Sequence, residues 1–326
     1  PTDKVAAALS VAMIVRDEAD CLAACLDSLA PLEAEICVLD TGSSDGTQSI
    51  AAARVHRFGE VEWPDDFAAA RNASLALCTR PWIFIVDADE RLSAEACHEL
   101  RELSAGPPGR AWRYETRTFT PDARQSGFVA ASGPEARGYP GWVASAKVRL
   151  FPNRPNVRFE GAVHELVEPS LVAAGIPVAA ARCPVDHYPF EKSGDRIRRK
   201  RELYAALGQR KIGAAPGDPQ AYFEYGNQAA ELGRFGDAIA AFRRGLALDA
   251  ERADMWKDLG AVLHLAGFAA EAERSLAVAI RIAPDMADAW RNRGVVRAAQ
   301  ERYAEAVADI ERAIALNPAW ADGPAY

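Results

Sequence analysis

The sequence predicts an α/β domain with a mainly parallel sheet, followed by an all-α array of helical repeats. The first part is predicted by short apolar runs that alternate with helical patterns over residues 9–86 and end in acidic side chains. The second part is predicted by a period of 34 residues that begins at Pro219. We expect the α/β domain at 1–192, a linker helix at 193–218, and repeats starting near 219, 253 and 287.

Composition excludes several classes of protein. The chain has 326 residues, enough for two domains, and its net charge of −8 argues against broad nucleic-acid binding. Its apolar runs are shorter than the ~20 residues that span a bilayer, and residues 1–4 lack the pattern of a signal peptide. The six cysteines have no CxxC spacing. We therefore expect free thiols, no transmembrane segment and a cytoplasmic location.

The first two predicted strands each end in acidic residues. Residues 9–15 predict a strand that leads to Glu18, and residues 19–29 have helical spacing. Residues 36–39 predict the second strand, which ends in Asp40 and a loop of glycine and hydroxyl residues at 41–47. This loop lacks the lysine of a P-loop and the spacing of a dinucleotide motif. An ordinary strand-to-helix turn uses the same residues, so the loop alone leaves both interpretations open.

Two further strands complete the predicted sheet. Residues 54–58 predict a short third strand, and residues 67–78 predict a helix that carries Arg71 and Asn72. Residues 82–86 are apolar and mostly β-branched or aromatic, which is typical of a strand buried on both faces.

Three acids follow that buried strand directly, at Asp87, Asp89 and Glu90. Unpaired charges cannot lie in such a core, so the acids must emerge at the carboxyl edge of the sheet, where α/β proteins bind ligands. Asp87 and Asp89 are separated by one small residue and suit a hard cation such as Mg²⁺ or Mn²⁺. The alternative is an acidic turn that caps the next helix.

Acids from three strands are expected at one sheet edge: Glu18, Asp40, and Asp87 with Asp89. This convergence predicts a nucleotide or phosphate site with one divalent cation. Two chemistries fit such a site. Either an acceptor displaces a diphosphate, or Asp87 is the nucleophile of a phosphatase that resembles the haloacid dehalogenases. The second is disfavoured because the acids follow the fourth strand and are continued by Glu90 and Arg91.

In residues 109–190, short strand-like segments alternate with loops rich in glycine and proline. Strands are expected at 111–119, 147–151 and 178–185, and a mobile loop is expected at 133–141, just before Trp142. Two histidines, His164 and His187, are candidate site residues, although a single histidine is more often structural.

The repeats have the tetratricopeptide period. Equivalent positions recur in each repeat. They are an aromatic residue (Tyr222, Trp256 and Trp290), a glycine (Gly226, Gly260 and Gly294) and an apolar residue (Phe242, Leu276 and Ile310). Such helix pairs stack and form a groove, which predicts docking of an extended peptide, of a protein partner or of a second copy of the chain.

The first ~190 residues resemble glycosyltransferase family 2, whose members have the nucleotide-sugar-binding GT-A fold, which is Rossmann-like. The matching segments are 9–18, 38–47, 70–73 and 86–92, and the later segments 148–152, 159–165 and 186–188 resemble the branch with lipopolysaccharide-core glucosyltransferases. Related peptide S-glycosyltransferases carry tetratricopeptide repeats behind the same catalytic domain.

The resemblance implies a role for each matching residue. Asp40 is expected to contact the nucleotide base, and Arg71 and Asn72 are expected to lie beside the diphosphate. The other nucleotide-sugar contacts that we expect are Val15, Glu18, Gly42, Ser44, Asp87 and Trp142. The expected metal ligands are Asp89, Asp87 and His187. Glu165 is the expected catalytic base, with His164 orienting it or helping the metal.

These roles together predict a metal-dependent, inverting glycosyltransferase that uses Mn²⁺ or Mg²⁺ and a nucleotide-sugar, with UDP favoured. The expected acceptor is a peptide, a protein or a glycan. A catalytically inactive transferase domain that serves as a repeat-based interaction scaffold is the alternative.

Overall fold

The computed structural model describes residues 8–320 except 124, 126, 164, 192 and 193, and it divides into two compact units between Arg196 and Ile197. The candidate His164 lies outside the described residues. The predicted linker segment 193–218 corresponds largely to one helix, Gly194–Ala214 (α6 below).

The first unit contains a ten-stranded sheet and five α-helices among its described residues. The strands are β1 Leu9–Val15, β2 Glu35–Asp40, β3 Arg57–Glu60, β4 Trp82–Ile85, β5 Glu90–Arg91, β6 Ala111–Thr120, β7 Phe128–Ala130, β8 Gly141–Pro152, β9 Val178–Ala180 and β10 Val185–His187. The helices are α1 Ala19–Leu29, α2 Thr47–Arg54, α3 Phe67–Leu75, α4 Ala94–Ser104 and α5 Glu168–Ala173.

The sheet has the order β3-β2-β1-β4-β8-β6-β10-β5, with β7 paired to β8 and β9 paired to β6. Strands β3, β2, β1 and β4 are parallel, and β8 runs antiparallel to both β4 and β6. The predicted α/β class is therefore confirmed, and the sheet as a whole is mixed. The core lies where the central strands are covered on both faces: Val11, Met13 and Phe84 are fully buried.

The boundaries of several elements differ from the sequence-based prediction. The third strand is Arg57–Glu60, because Arg54 still belongs to α2, and α3 ends at Leu75. The segment 178–185 forms two short strands, β9 and the start of β10. Strand β8 begins at Gly141, well before 147, because its first half pairs with β6 and β7. These errors arise where pairing between distant segments decides the structure.

The second unit is all-α. Its helices are α6 Gly194–Ala214, α7 Pro219–Glu231, α8 Phe235–Leu248, α9 Ala253–Leu265, α10 Ala269–Ile282, α11 Ala287–Ala299 and α12 Tyr303–Leu316. The helix pairs begin at 219, 253 and 287, as the period predicts. None of the helices in the described part of the chain has the length and apolar composition of a bilayer span.

Glycine at the first-helix positions allows each pair to close. A Cβ atom added to Gly226 would lie 2.5 Å from the ring of Phe242, and one added to Gly260 would lie 2.6 Å from Cγ of Leu276. No real Cβ atom tolerates such distances, so the backbones of the two helices approach closely only because these residues lack a side chain.

Candidate active site

The acid-rich turn lies where β4 ends. Val86 is still fully buried, and the chain then turns so that the Asp87 N–H donates to Oε2 of Glu90 at 2.8 Å. Helix α4 is capped by Ser93, whose Oγ accepts from the Ala96 N–H. Capping therefore does not explain Asp87 and Asp89, and the turn presents them at the carboxyl edge of the parallel strands, as predicted.

A buried ion pair fixes this turn. Both oxygens of Glu90 accept from Arg149, at 2.7 and 2.6 Å, and Arg149 also donates to Oγ1 of Thr116 at 2.8 Å. The Glu90 and Arg149 side chains are at most 2% exposed. Leu150 pairs with Trp112 and Val148 with Arg113, so Arg149 is an extra residue in β8, which is how a bulge redirects a side chain.

Sequence reasoning missed the structural role of Glu90 and Arg149. A signal was present, because Arg149 lies between apolar residues in a segment that predicts a strand. A charge in that position requires a buried partner. The partner is 59 residues away in the chain, so the sequence alone does not identify it.

Arg71 links Asp87 to the candidate base. Its Nη2 donates to Oδ1 of Asp87 at 2.5 Å and its Nε donates to Oε1 of Glu165 at 3.1 Å. Burial acts to raise the pKa of Asp87, but the attraction of Arg71, followed by that of Lys147, holds this pKa well below its usual range. Arg71 is 7% exposed, and its Nη1 is buried with no hydrogen bond to any residue that the structure describes. The guanidinium therefore has one donor group left for a ligand.

His187 approaches the second acid. Its Nε2 lies 3.3 Å from Oδ2 of Asp89, and its Nδ1 lies 3.1 Å from Oγ1 of Thr118. Strand β10 lies between β5 and β6, and its register places His187 opposite Thr118 and opposite Glu90, the neighbour of Asp89. Asp89 is 3% exposed. The structure therefore brings Asp87, Asp89, Arg71, Glu165 and His187 together.

This donor set suits a cation that arrives with its substrate. Within the described residues, no three His, Cys, Asp or Glu side chains form a complete metal site. Mg²⁺-type sites in nucleotide enzymes commonly use one or two protein ligands and take the rest from phosphate and water. One carboxylate and one imidazole, at Asp89 and His187, fit that pattern, and their role as ligands stays a prediction.

The segments that follow β1 and β2 are hydrogen-bonded to each other. Oδ1 of Asp40 accepts from the N–H groups of Gly42 and Ser43, both at 2.9 Å, whereas its Oδ2 is buried with no hydrogen bond in the described part of the chain. The carbonyl of Val15 accepts from Thr41. Asp40 is therefore held by its own loop through Oδ1, and its predicted contact with a base stays a prediction.

The β1–α1 connection is hydrogen-bonded to the loop that follows β2. Asp17 has a positive φ of 53°, and its Oδ1 accepts from the Ser44 N–H at 2.7 Å. The N–H of Glu18 donates to Oγ1 of Thr47 at 2.7 Å. Sequence reasoning singled out Glu18 and Ser44 as ligand contacts and overlooked Asp17. The sequence does not reveal this contact, because Asp17 and Ser44 lie 27 residues apart in the chain.

Two predicted ligand contacts have structural partners. Both amide atoms of Asn72 bind the backbone of Phe159, at 2.9 and 2.8 Å, so Asn72 holds the segment that leads to Glu165. Trp142 on β8 lies under the guanidinium of Arg117, at 5.8 Å, and belongs to the aromatic cluster of Phe119 and Tyr188. Their contacts with a nucleotide-sugar stay predictions.

One of the two carboxylate oxygens of Glu165, the candidate base, is already hydrogen-bonded. Glu165 has a 16% exposed side chain, and Oε1 is bound by Arg71. Its Oε2 has no hydrogen bond with any described residue, which leaves this oxygen available to a proton donor. The predicted contribution of the neighbouring His164 falls on a residue that the structure does not describe.

Fold and site together define an α/β domain with an acid-lined sheet edge, followed by a helical repeat array. Residues 10–108 match the family described as Glycosyl transferase family 2, and residues 287–319 match the Tetratricopeptide repeat. The chain therefore carries a family 2 glycosyltransferase domain and tetratricopeptide repeats.

Three curated relatives illustrate both parts. A TPR repeat-containing protein of Synechococcus elongatus is 41% identical over 167 residues, which are 51% of this chain and 37% of that protein. The glycosyltransferase SunS of Bacillus subtilis is 26% identical over 244 residues, 73% of this chain and 53% of that protein. The lipopolysaccharide core biosynthesis glycosyltransferase LpsC of Rhizobium meliloti is 35% identical over 120 residues, 34% of this chain and 43% of that protein.

The chain thus spans about half the length, or less, of these relatives. Among solved structures, the crystal structure of MamA has a TM-score of 0.36 at 20% identity, over 39% of this chain and 77% of that one.

Proposed function

We propose that the chain is an inverting, metal-dependent glycosyltransferase that moves a sugar from a nucleotide-sugar, with UDP favoured, to a peptide, protein or glycan acceptor. The observation that carries this proposal is the convergence of five side chains at one sheet edge. Asp87, Arg71 and Glu165 are joined by ion pairs of 2.5 and 3.1 Å, and Asp89 lies 3.3 Å from His187. The family 2 domain and the glycosyltransferase relatives support the same reaction class.

Asp40 and Arg71 are suited to hold the donor. The buried Oδ2 of Asp40 lacks a hydrogen-bond donor among the described residues, and an N–H group of a pyrimidine or guanine base would satisfy it. The buried Nη1 of Arg71 lacks an acceptor, and a phosphate oxygen would satisfy it. Each unsatisfied atom therefore matches a group of opposite character in a nucleoside diphosphate.

Asp89 and His187 are the residues that would hold Mn²⁺ or Mg²⁺. A bound cation neutralises the charge that develops on a leaving diphosphate. Asp87 is kept ionised by Arg71 and so stays available as a neighbouring oxygen ligand. This division of roles agrees with the two separate contacts, Asp87 with Arg71 and Asp89 with His187.

Glu165 is the group that would take the proton of the acceptor. Arg71 binds Oε1 and fixes the orientation of the carboxylate, while Oε2 accepts the proton of an attacking hydroxyl or thiol. Because we identify no second nucleophile in the described site, a single displacement with inversion is the expected course.

Asp89→Ala tests this proposal. The variant is expected to lose metal-dependent turnover of UDP-sugars, measured as UDP release with and without Mn²⁺, while its circular dichroism spectrum stays that of the wild type. Asp27→Asn, on the exposed side chain of α1, is the matched control and should keep full activity. Full activity of Asp89→Ala would refute the assignment. Absence of binding of UDP, GDP or CDP with Mn²⁺ by the wild type would favour the scaffold alternative.

The repeats are proposed to dock the acceptor or a partner protein. This part rests on the tetratricopeptide match and on the general use of stacked helix pairs as binding surfaces for extended chains. Docking of the acceptor predicts that transfer depends on the repeats, whereas donor hydrolysis depends on the first unit.

A further inference from the structure

Lys147 is a cation that the site described above does not yet use. It lies on β8 and is exposed, and it has no hydrogen bond or ion pair with any residue that the structure describes. An exposed ammonium group that has no such partner at a carboxylate-rich edge is available for an anionic ligand.

Strand register places Lys147 on the same face as the acid turn. Lys147 pairs with Tyr114 of β6, and Thr116 lies two residues farther along β6, so these three residues share one face of the sheet. Arg149 donates to Oγ1 of Thr116, which shows that its side chain also points to this face. Glu90, the partner of Arg149, lies there as well.

Pairing with β4 gives the position along the strand. Strand β8 is antiparallel to β4, with Phe84 opposite Leu150. Because the two strands are antiparallel, residues before Leu150 on β8 lie beside residues after Phe84. Lys147, three residues before Leu150, is therefore level with the segment 86–87.

The charges of the neighbouring side chains indicate a role for Lys147 in binding an anion. Four carboxylates lie at this edge, those of Asp87, Asp89, Glu90 and Glu165, and Arg71 and Arg149 form ion pairs with three of them. Arg149 is neutralised by Glu90, and Arg71 is shared between two acids. Lys147 has no ion-pair partner of its own among the described residues, and its charge offsets part of the negative charge that would repel a diphosphate.

We propose that Lys147 binds the diphosphate of the donor, opposite Arg71, and stabilises it as the leaving group. This inference rests on the proposed function. It adds a second protein cation to the diphosphate site, at a position just before the matching segment 148–152 of β8.

Lys147→Met removes the charge and keeps the length of the side chain. With Mg²⁺ present, it is expected to weaken UDP binding about 10- to 100-fold, the range of a charge-assisted hydrogen bond, and to leave uridine binding unchanged. Lys147→Arg should keep most of the UDP affinity. Titration calorimetry of UDP and uridine against each variant measures both effects.

Arg110→Met is the matched control. Arg110 is also exposed in the first unit, but it precedes β6 at the opposite end from Thr118, so its loss should not affect UDP binding. Wild-type UDP affinity in Lys147→Met would overturn the inference while leaving the proposed function intact. Equal losses for UDP and uridine would also overturn it, since they would indicate a structural defect. No UDP, GDP or CDP binding by the wild type would overturn both.

Discussion

Arg71 illustrates how one residue determines the properties of several others. Its guanidinium is nearly buried and reaches Asp87 with Nη2 and Glu165 with Nε. A buried carboxylate is costly unless it is paired, so Asp87 depends on Arg71 for its charge. The same side chain orients the candidate base. Arg71 therefore connects the metal side of the proposed site with the acceptor side.

Replacing Arg71 should shift the pH dependence of activity. In the wild type the pKa of Asp87 is well below its usual range, so Asp87 stays ionised throughout the acid range. In Arg71→Met the effect of burial is no longer offset by Arg71, and the pKa of Asp87 rises. We expect kcat/KM to fall about 100-fold or more, and the residual activity to decline at a higher pH on the acid side than in the wild type.

Arg71→Lys is the informative companion variant. An ammonium group keeps the charge but not the planar fork that reaches both carboxylates. Its pH profile should therefore lie between those of the wild type and Arg71→Met. An unchanged acid limb in Arg71→Met would show that Asp87 does not owe its ionisation to Arg71.

At the scale of secondary-structure elements, Glu35 links the strands whose far ends carry the candidate site residues. It opens β2, is 7% exposed, and accepts from Ser10 on β1, from Arg57 on β3, and from Thr79 just before β4. One carboxylate thus joins β1, β2, β3 and the segment that leads into β4, at the edge opposite the site. Burial acts to raise its pKa, but the hydrogen bonds from Ser10, Thr79 and Arg57 lower it to about 2.

This pKa predicts how stability changes with pH. A folded-state pKa below the unfolded value of 4.5 contributes stability above pH ~4.5, and this contribution is lost as the pH falls toward 2. The shift corresponds to about 3 kcal/mol. The gap between the urea midpoints of wild type and Glu35→Gln should therefore be widest at pH 7 and shrink below pH ~4.5. The exposed Glu102→Gln is the control, and a gap that stays constant with pH would contradict the prediction.

The elements that the sequence predicts well are those that local pattern determines. Strands β1, β2 and β4 are apolar runs buried on both faces, and the repeat helices follow a strict period. Strand β8 was predicted only in its second half, because residues 141–147 take their structure from pairing with β6 and β7. Local propensity does not contain such pairings.

The same limit applies to the site. Position after a strand was enough to predict that Asp40, Asp87 and Asp89 lie at one edge. The ion pairs that complete the site join residues 94 positions apart, in Arg71 and Glu165, and 59 apart, in Glu90 and Arg149. Lys147 had no motif and became visible only through strand register.

At the scale of the whole molecule, the two units differ in what stabilises them. The sheet of the first unit is held by long-range pairing and buried ion pairs, whereas each repeat is stabilised by its neighbours. All the described side chains proposed to act on the donor belong to residues 8–191. Stability of the repeats and chemistry on the donor should therefore respond to different substitutions.

Gly260→Ala tests this separation. The new Cβ would lie 2.6 Å from Leu276 and 3.1 Å from the carbonyl of Ala272, so α9 and α10 must move apart. Such overpacking costs about 1–3 kcal/mol, which should lower the thermal midpoint of the helical circular dichroism signal at 222 nm. Gly236→Ala is the matched control, since open space surrounds Gly236 and alanine favours a helix. Hydrolysis of the donor by Gly260→Ala should equal that of the wild type below the transition, because no donor-binding residue changes. A loss of hydrolysis in parallel with the loss of helix would show instead that the repeats are required for the chemistry itself.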